Sequence, residues 1–238
     1  MSEDAPTTNH GVRKLLLLRH GEVASHRGDP PVTKEGLDFA REVGRRLGVR
    51  EGRLHVVCGD LLRTRQTAAA IVEGARSAAA EVAPPRVSFA MRNPDIYVAG
   101  ERVDFVSSVD ALAAQVDGLT REEAAAVPFF QGFFAAPDRI GWWLRQAHPP
   151  GDDAAAVARR VMNFAASHAD RSNAMTTVAV THSPVLRACA YELFGCDPGE
   201  PAWLTGLAAE VYPDHSVRMV LLPEAPQCAG QSPHLGLS

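Results

Sequence analysis

The stretch KLLLLRHGEV, Lys14 to Val23, sets four consecutive leucines against an abrupt Arg19-His20-Gly21-Glu22 end. A short leucine run bounded by polar residues reads as a buried strand, with helix the alternative at that length. Charged and titratable side chains at its end are costly unless they bind something. In open α/β sheets, ligands lie beyond the carboxyl ends of the strands. The stretch therefore predicts both a fold and a place to look for its site.

Working outward, apolar runs predict further strands at Leu54–Cys58, Arg86–Ala90 and Thr177–Thr181, and a closing hairpin of Ala208–Tyr212 with Val217–Leu222. Helical patterns cover Lys34–Leu47, Arg63–Ala75, Asp153–Ala169 and Pro184–Phe194. Thr33 and Ser183 are placed as N-caps, Pro184 as a first helical residue and Gly195 as a stop. This alternation predicts a three-layer α/β/α sandwich with a mostly parallel sheet. Residues 12–223 read as a single domain, with 1–11 and 224–238 as flexible tails. Residues 92–151 break the rhythm and read as a mostly helical insertion or lid. The pairs Phe129-Phe130, Phe133-Phe134 and Trp142-Trp143 read as that insertion's own core, with pocket lining as the alternative.

Composition narrows the class. In 238 residues, 46% are hydrophobic and 22% charged, ordinary for a globular chain. A net charge of −4 argues against nucleic acid, and no basic run suggests a membrane surface. Cys58, Cys189, Cys196 and Cys228 form no CxxC pair and read as reduced thiols. No secretory signal or membrane-length apolar run is visible, so the expected location is cytoplasmic.

Three polar clusters fall at predicted strand ends: Arg19-His20-Gly21-Glu22, Asp60 to Thr67 (DLLRTRQT), and Thr181-His182-Ser183. Two histidines, two arginines and two helix N-termini on one rim make an anion site. With Val32-Thr33-Lys34-Glu35-Gly36 entering the first helix, these clusters in this order resemble the histidine phosphatase superfamily, also called phosphoglycerate mutase-like, and its phosphatase branch in particular.

The resemblance implies that His20 is a nucleophile that becomes transiently phosphorylated. Arg19, Arg63 and His182 would hold the phosphoryl oxygens, where charge spreads in the transition state. It implies neither cofactor nor metal, and no HxH, HExxH or paired DxD motif stands in the sequence. The general acid is expected shortly after the third strand, with Asp95 first, Glu101 second and Asp104 third. Glu22 is expected to orient Arg19 or a neighbour. Arg65, His26, His55, His148, His168 and His215 read as surface or packing residues. Relatives often differ at Val23, His26, Asp60 and Ser183, which touches the outer phosphate contacts.

The expected activity is hydrolysis of a small, partly apolar phosphorylated metabolite through a phosphohistidine. A phosphoglycerate-mutase-like phosphotransferase is the alternative, weakened because residues 92–151 hold five arginines against eight acidic residues and no Glu-Arg-His-Tyr-Gly stretch. A phosphoprotein phosphatase and a non-catalytic phospho-ligand binding module remain open, as does a homodimer.

Overall fold

The computed structural model describes residues 11–25, 28–173 and 175–223. The expected tails, apart from Gly11, and the readings of His26 and Cys228 lie outside them. The sandwich is present, built on a seven-stranded sheet in the order β3-β2-β7-β1-β8-β9, with β4 also on β2. Its strands are β1 (Arg13–Arg19), β2 (Arg53–Cys58), β3 (Glu81–Val82), β4 (Arg86–Val87), β7 (Thr176–Thr181), β8 (Gly206–Val211) and β9 (Val217–Leu221). β2, β7 and β1 run parallel; β8 and β9 are the predicted hairpin, in which β8 pairs antiparallel with β1 and β9 pairs antiparallel with β8.

β1 shows why the leucine run is a strand. Leu15 and Leu17 enter the apolar core on one face of the sheet, while Leu18 enters the core on the other. A strand buried on both faces has no use for a polar alternate residue. The expected strand Arg86–Ala90 is cut short: only Arg86–Val87 pairs, and a 3₁₀ turn follows at Phe89–Met91. Pairing stops because the chain turns inward there, burying Met91 completely.

Helices α1 (Lys34–Glu51) and α2 (Leu62–Ser77) cover one face of the sheet together. A Cβ on Gly44 would lie 2.1 Å from the Ile71 carbonyl oxygen, and one on Gly74 1.8 Å from that of Arg41. The two glycines let the helix backbones touch.

The segment after β4 is less helical than expected. It opens with an antiparallel hairpin, β5 (Ile96–Val98) and β6 (Glu101–Val103), followed by short helices α3 (Val109–Ala113), α4 (Arg121–Ala126), α5 (Pro128–Ala135) and α6 (Arg139–Leu144). Phe130, Phe133 and Trp143 are fully buried, so these rings are core, as the sequence suggested. They join the apolar core that also holds β1 and α7 (Ala154–Ala166).

Two further expectations are corrected. Ser183 is not the N-cap of α8 (Ser183–Phe194); His182 is, without a side-chain cap, because the Ser183 hydroxyl is drawn to Glu200. Cys196 is disulfide-bonded, not reduced; lack of a CxxC spacing says nothing about pairing across the fold. Cys58 and Cys189 are free, and burial pushes their thiols up to about 11 and about 12.

Candidate active site

Sheet register brings the predicted clusters together. Arg19 lies opposite Thr181 and Cys58 opposite Val180, so the residues that follow each strand emerge side by side. Two bonds carry the register past the strand ends: His20 N–H donates to the Thr181 carbonyl and Gly59 N–H to that of Val180, both at 3.0 Å. The His20 and His182 rings consequently sit edge to face with centroids 5.5 Å apart.

The start of α2 is tied to the same point. Thr67 Oγ1 accepts from Gly21 N–H at 2.9 Å and donates to the Arg63 carbonyl at 2.7 Å. Thr33 caps α1 as expected, accepting from Gly36 N–H. Glu22 accepts from Thr33 at 3.4 Å, whereas the carboxylate bound to Arg19 is Glu200, at 2.6 Å.

His20 Nδ1 lies 2.8 Å from its neighbour's carbonyl, Gly21 O. A carbonyl oxygen only accepts, so Nδ1 carries the hydrogen and, in the neutral ring, Nε2 holds the lone pair. His182 is 1% exposed and neither ring nitrogen has a hydrogen-bond partner. Burial, followed by the charges of Arg63, His20, Arg19 and Arg102, holds its imidazole well below the usual value. His182 is therefore neutral in the free protein.

The two arginines are each half used. Arg19 donates through Nη1 to the Pro201 carbonyl and through Nη2 to Glu200, while its buried Nε has no partner. Burial lowers Arg19 to about 10, with Glu200 partly offsetting it, and leaves it charged at neutral pH. Arg63 donates through Nη1 to Asp29 at 3.2 Å, and its buried Nε is again unpartnered. Among the described residues, buried polar side-chain atoms without partners also include Asp60 Oδ1 and Asn93 Oδ1. Such atoms cost about 1–3 kcal/mol each when nothing meets them. Arg160 Nε, His168 Nε2 and Thr177 Oγ1 are likewise unpartnered elsewhere in the fold. The atoms of Arg19, Arg63 and His182, however, lie together beyond β1, β2 and β7, a place suited to a polar ligand.

The expected acids are placed differently. Asp95 is gripped by Arg92 at 2.6 Å and by Arg102 at 2.6 Å. Burial alone would raise its carboxyl, but these two guanidiniums outweigh it and pull it below the usual range. Glu101 is exposed at the hairpin turn. Asp104 makes one long contact with Arg102, at 3.4 Å, and its charge acts on Arg63.

Sequence reasoning missed Asp29, Asn93, Glu200 and Trp203. The Trp203 ring lies over the Arg19 guanidinium at 3.5 Å and 5.4 Å from the His20 ring. Asp29 also accepts from Leu62 N–H, which caps α2 from a distant loop. None of these four follows an apolar strand within a recognisable short motif. A search for carboxylates able to pair Arg19 and Arg63 was the available signal.

Solved structures of similar fold include a mycobacterial glucosyl-3-phosphoglycerate phosphatase, 20% identical, with a TM-score of 0.56 over 92% of this chain and 100% of that one. A phosphoglycerate mutase from Bacillus anthracis is 15% identical, with a TM-score of 0.57 over 90% and 94%. A putative alpha-ribazole-5'-P phosphatase from Escherichia coli is 18% identical, with a TM-score of 0.52 over 91% and 98%. Among curated proteins none matches. The model of the histidine phosphatase superfamily (branch 1) matches residues 15–84 and 117–212, leaving 85–116, the stretch with Asn93, Asp95 and Asp104, unmatched. That match takes in well over half of the chain, and the protein belongs to the histidine phosphatase superfamily.

Proposed function

We propose that the protein hydrolyses a small phosphomonoester through a phosphohistidine on His20, without a metal. The observation that carries this is the set of unpartnered, buried Nε atoms of Arg19 and Arg63 and both nitrogens of His182, gathered beside the His20 ring. Guanidinium N–H groups held in place before the ligand arrives need no reorganisation as charge develops on the phosphoryl oxygens.

In the first step, Nε2 of His20 attacks phosphorus, forming P–N as the ester P–O bond breaks. The departing alkoxide takes a proton from a carboxylic acid. Water then attacks phosphorus, the P–N bond breaks and its electron pair returns to Nε2, while the carboxylate accepts the water proton. Asp104 suits the acid role better than Asp95, because Asp95 is held ionised between two guanidiniums. Asp95 then serves to place Arg102, whose charge reaches His182.

Hydrolysis is favoured over transfer to a second anionic acceptor by the rim. Arg19 is already paired with Glu200, Arg63 with Asp29, and Arg92 and Arg102 with Asp95. Little unbalanced positive charge is left for a carboxylate or second phosphate. The alcohol part of the substrate is accordingly uncharged.

The test compares wild type, His20→Ala, Asp104→Asn and Asp95→Asn on an aryl phosphate and an alkyl phosphate. His20→Ala is expected to abolish turnover and the acid-labile phosphoprotein on both. Asp104→Asn is expected to spare the aryl ester, whose leaving group needs no proton, and to slow the alkyl ester by about 10²–10⁴-fold. Equal, chelator-sensitive rates in wild type and His20→Ala remove the phosphohistidine mechanism.

A further inference from the structure

Arg19 can serve a phosphoryl group only if its guanidinium is held in one plane. Two of its donors are spent on Pro201 O and Glu200, and its buried Nε is left over. The segment supplying those partners is itself clamped to the end of β1. Arg19 N–H donates to the Thr205 carbonyl at 2.9 Å, and Leu204 N–H donates to the Arg19 carbonyl at 3.1 Å. Thr205 closes a turn back to Ala202 through both its N–H and its hydroxyl. Leu204 has φ of 57°, in the left-handed region. For a side chain of that size this is unfavourable, and such strain persists only where the surroundings over-determine it.

The residue delivered by that strained turn is Trp203. Its ring covers the Arg19 guanidinium at 3.5 Å, and its centroid is 5.4 Å from the His20 ring at a tilt of 39°. An indole is the best cation–π surface among the side chains. One ring thus touches both the attacking imidazole and the nearest phosphate-binding cation.

We infer that Trp203 is a positioning residue of the phosphoryl site: by stacking on Arg19 it fixes the guanidinium plane, so that the Nε–H left over from Pro201 and Glu200 faces the phosphoryl oxygens beside His20. The inference rests on the phosphoryl-transfer reading above. Trp203 acts through Arg19, so its removal should matter only while Arg19 is present. Ordinary loss of packing would weaken the site whether Arg19 is there or not.

A double-mutant cycle distinguishes the two, read as orthovanadate affinity by calorimetry, with turnover of an alkyl phosphate alongside. Trp203→Leu is expected to weaken vanadate about tenfold, the equivalent of ~1.4 kcal/mol of cation–π contact. In an Arg19→Ala background the same change is expected to cost less than twofold. Trp203→Phe should recover most of the loss. Equal losses in both backgrounds, or no loss at all in Trp203→Leu, overturn the inference. If Trp203→Leu does not fold, Trp203→Phe decides: a two- to threefold loss with Arg19 and none without it supports the inference, and any other pattern overturns it. A wild type that neither binds vanadate nor turns over sinks the phosphoryl reading, and the inference with it.

Discussion

The strand-end site and the insertion bury their polar and aromatic groups in opposite ways. In the insertion, Trp143 is fully buried and its indole N–H donates to the Asp152 carbonyl at 3.0 Å. Asp138 is bound by Arg187 and by Gly141 N–H, and Asp95 by two arginines. At the strand ends His182 is as deeply buried as Trp143, yet both its nitrogens stay unpartnered, as does Nε of Arg19 and of Arg63. Satisfied burial holds a fold together; unsatisfied burial is tolerated where a ligand completes it. Asn93, at the start of the insertion, is the exception, with its Oδ1 unpartnered; otherwise the comparison assigns stability to one region and binding to the other.

The largest effect that can break this division is in the insertion. Trp143→Ala is expected to cost about 3–5 kcal/mol of stability, the usual loss for a large buried ring. Denaturant unfolding measures it, and vanadate affinity per folded molecule should stay within about twofold. A stable variant with a damaged site would mean that Trp143 serves the ligand and not the core.

The converse substitution comes next. If the proposed phosphoryl transfer holds, Arg63→Ala removes a preorganised cation from the developing charge and lowers kcat by about 10²–10³. Its unfolding free energy should change by under ~1 kcal/mol, because its one ion pair, with Asp29, is long at 3.2 Å and Asp29 is 40% exposed. A loss of stability larger than the loss of rate would put Arg63 among the structural arginines, alongside Arg187.

The two regions also differed in how far the sequence disclosed them. Arg19, His20, Arg63 and His182 were legible because each follows or opens a periodic element, and parallel register then forces them together. Gly44 and Gly74 were not, since helix contact depends on two distant residues at once. Glu200 and Trp203 reach Arg19 across more than 180 residues of chain, which no local pattern encodes. The hairpin β5–β6 was missed because its strands are three residues each, too short for alternation to show. Asp95 was singled out by its place after the third strand, while its pairing with Arg102 depends on that same hairpin. The disulfide at Cys196 likewise leaves no trace in spacing.

Acid provides the smallest and sharpest separation. The His182 imidazole is held below its ordinary value by burial and neighbouring positive charge, and that of His168 by burial. His55 is lowered to about 4, by burial and by the charge of Arg171. A histidine depressed on folding takes up its proton first in the unfolded chain, whose imidazoles titrate near ~6.5. Stability from these residues is therefore complete above that value and is lost as pH falls toward the folded values. Asp95 and Asp138 behave otherwise, because their partners lower them. Their contribution survives until pH drops through the unfolded carboxyl value of ~3.9. Between pH 7 and about 4.5 the thermal midpoint should accordingly fall by several degrees, where ~1 kcal/mol corresponds to ~2–4 °C at this size. His182→Gln should flatten that slope, and Asp138→Asn should leave it unchanged while weakening the protein throughout. A wild-type midpoint constant down to pH 4.5 would mean that the His182 imidazole is not held below its ordinary value, contrary to its burial beside the positive charge of Arg63 and Arg19.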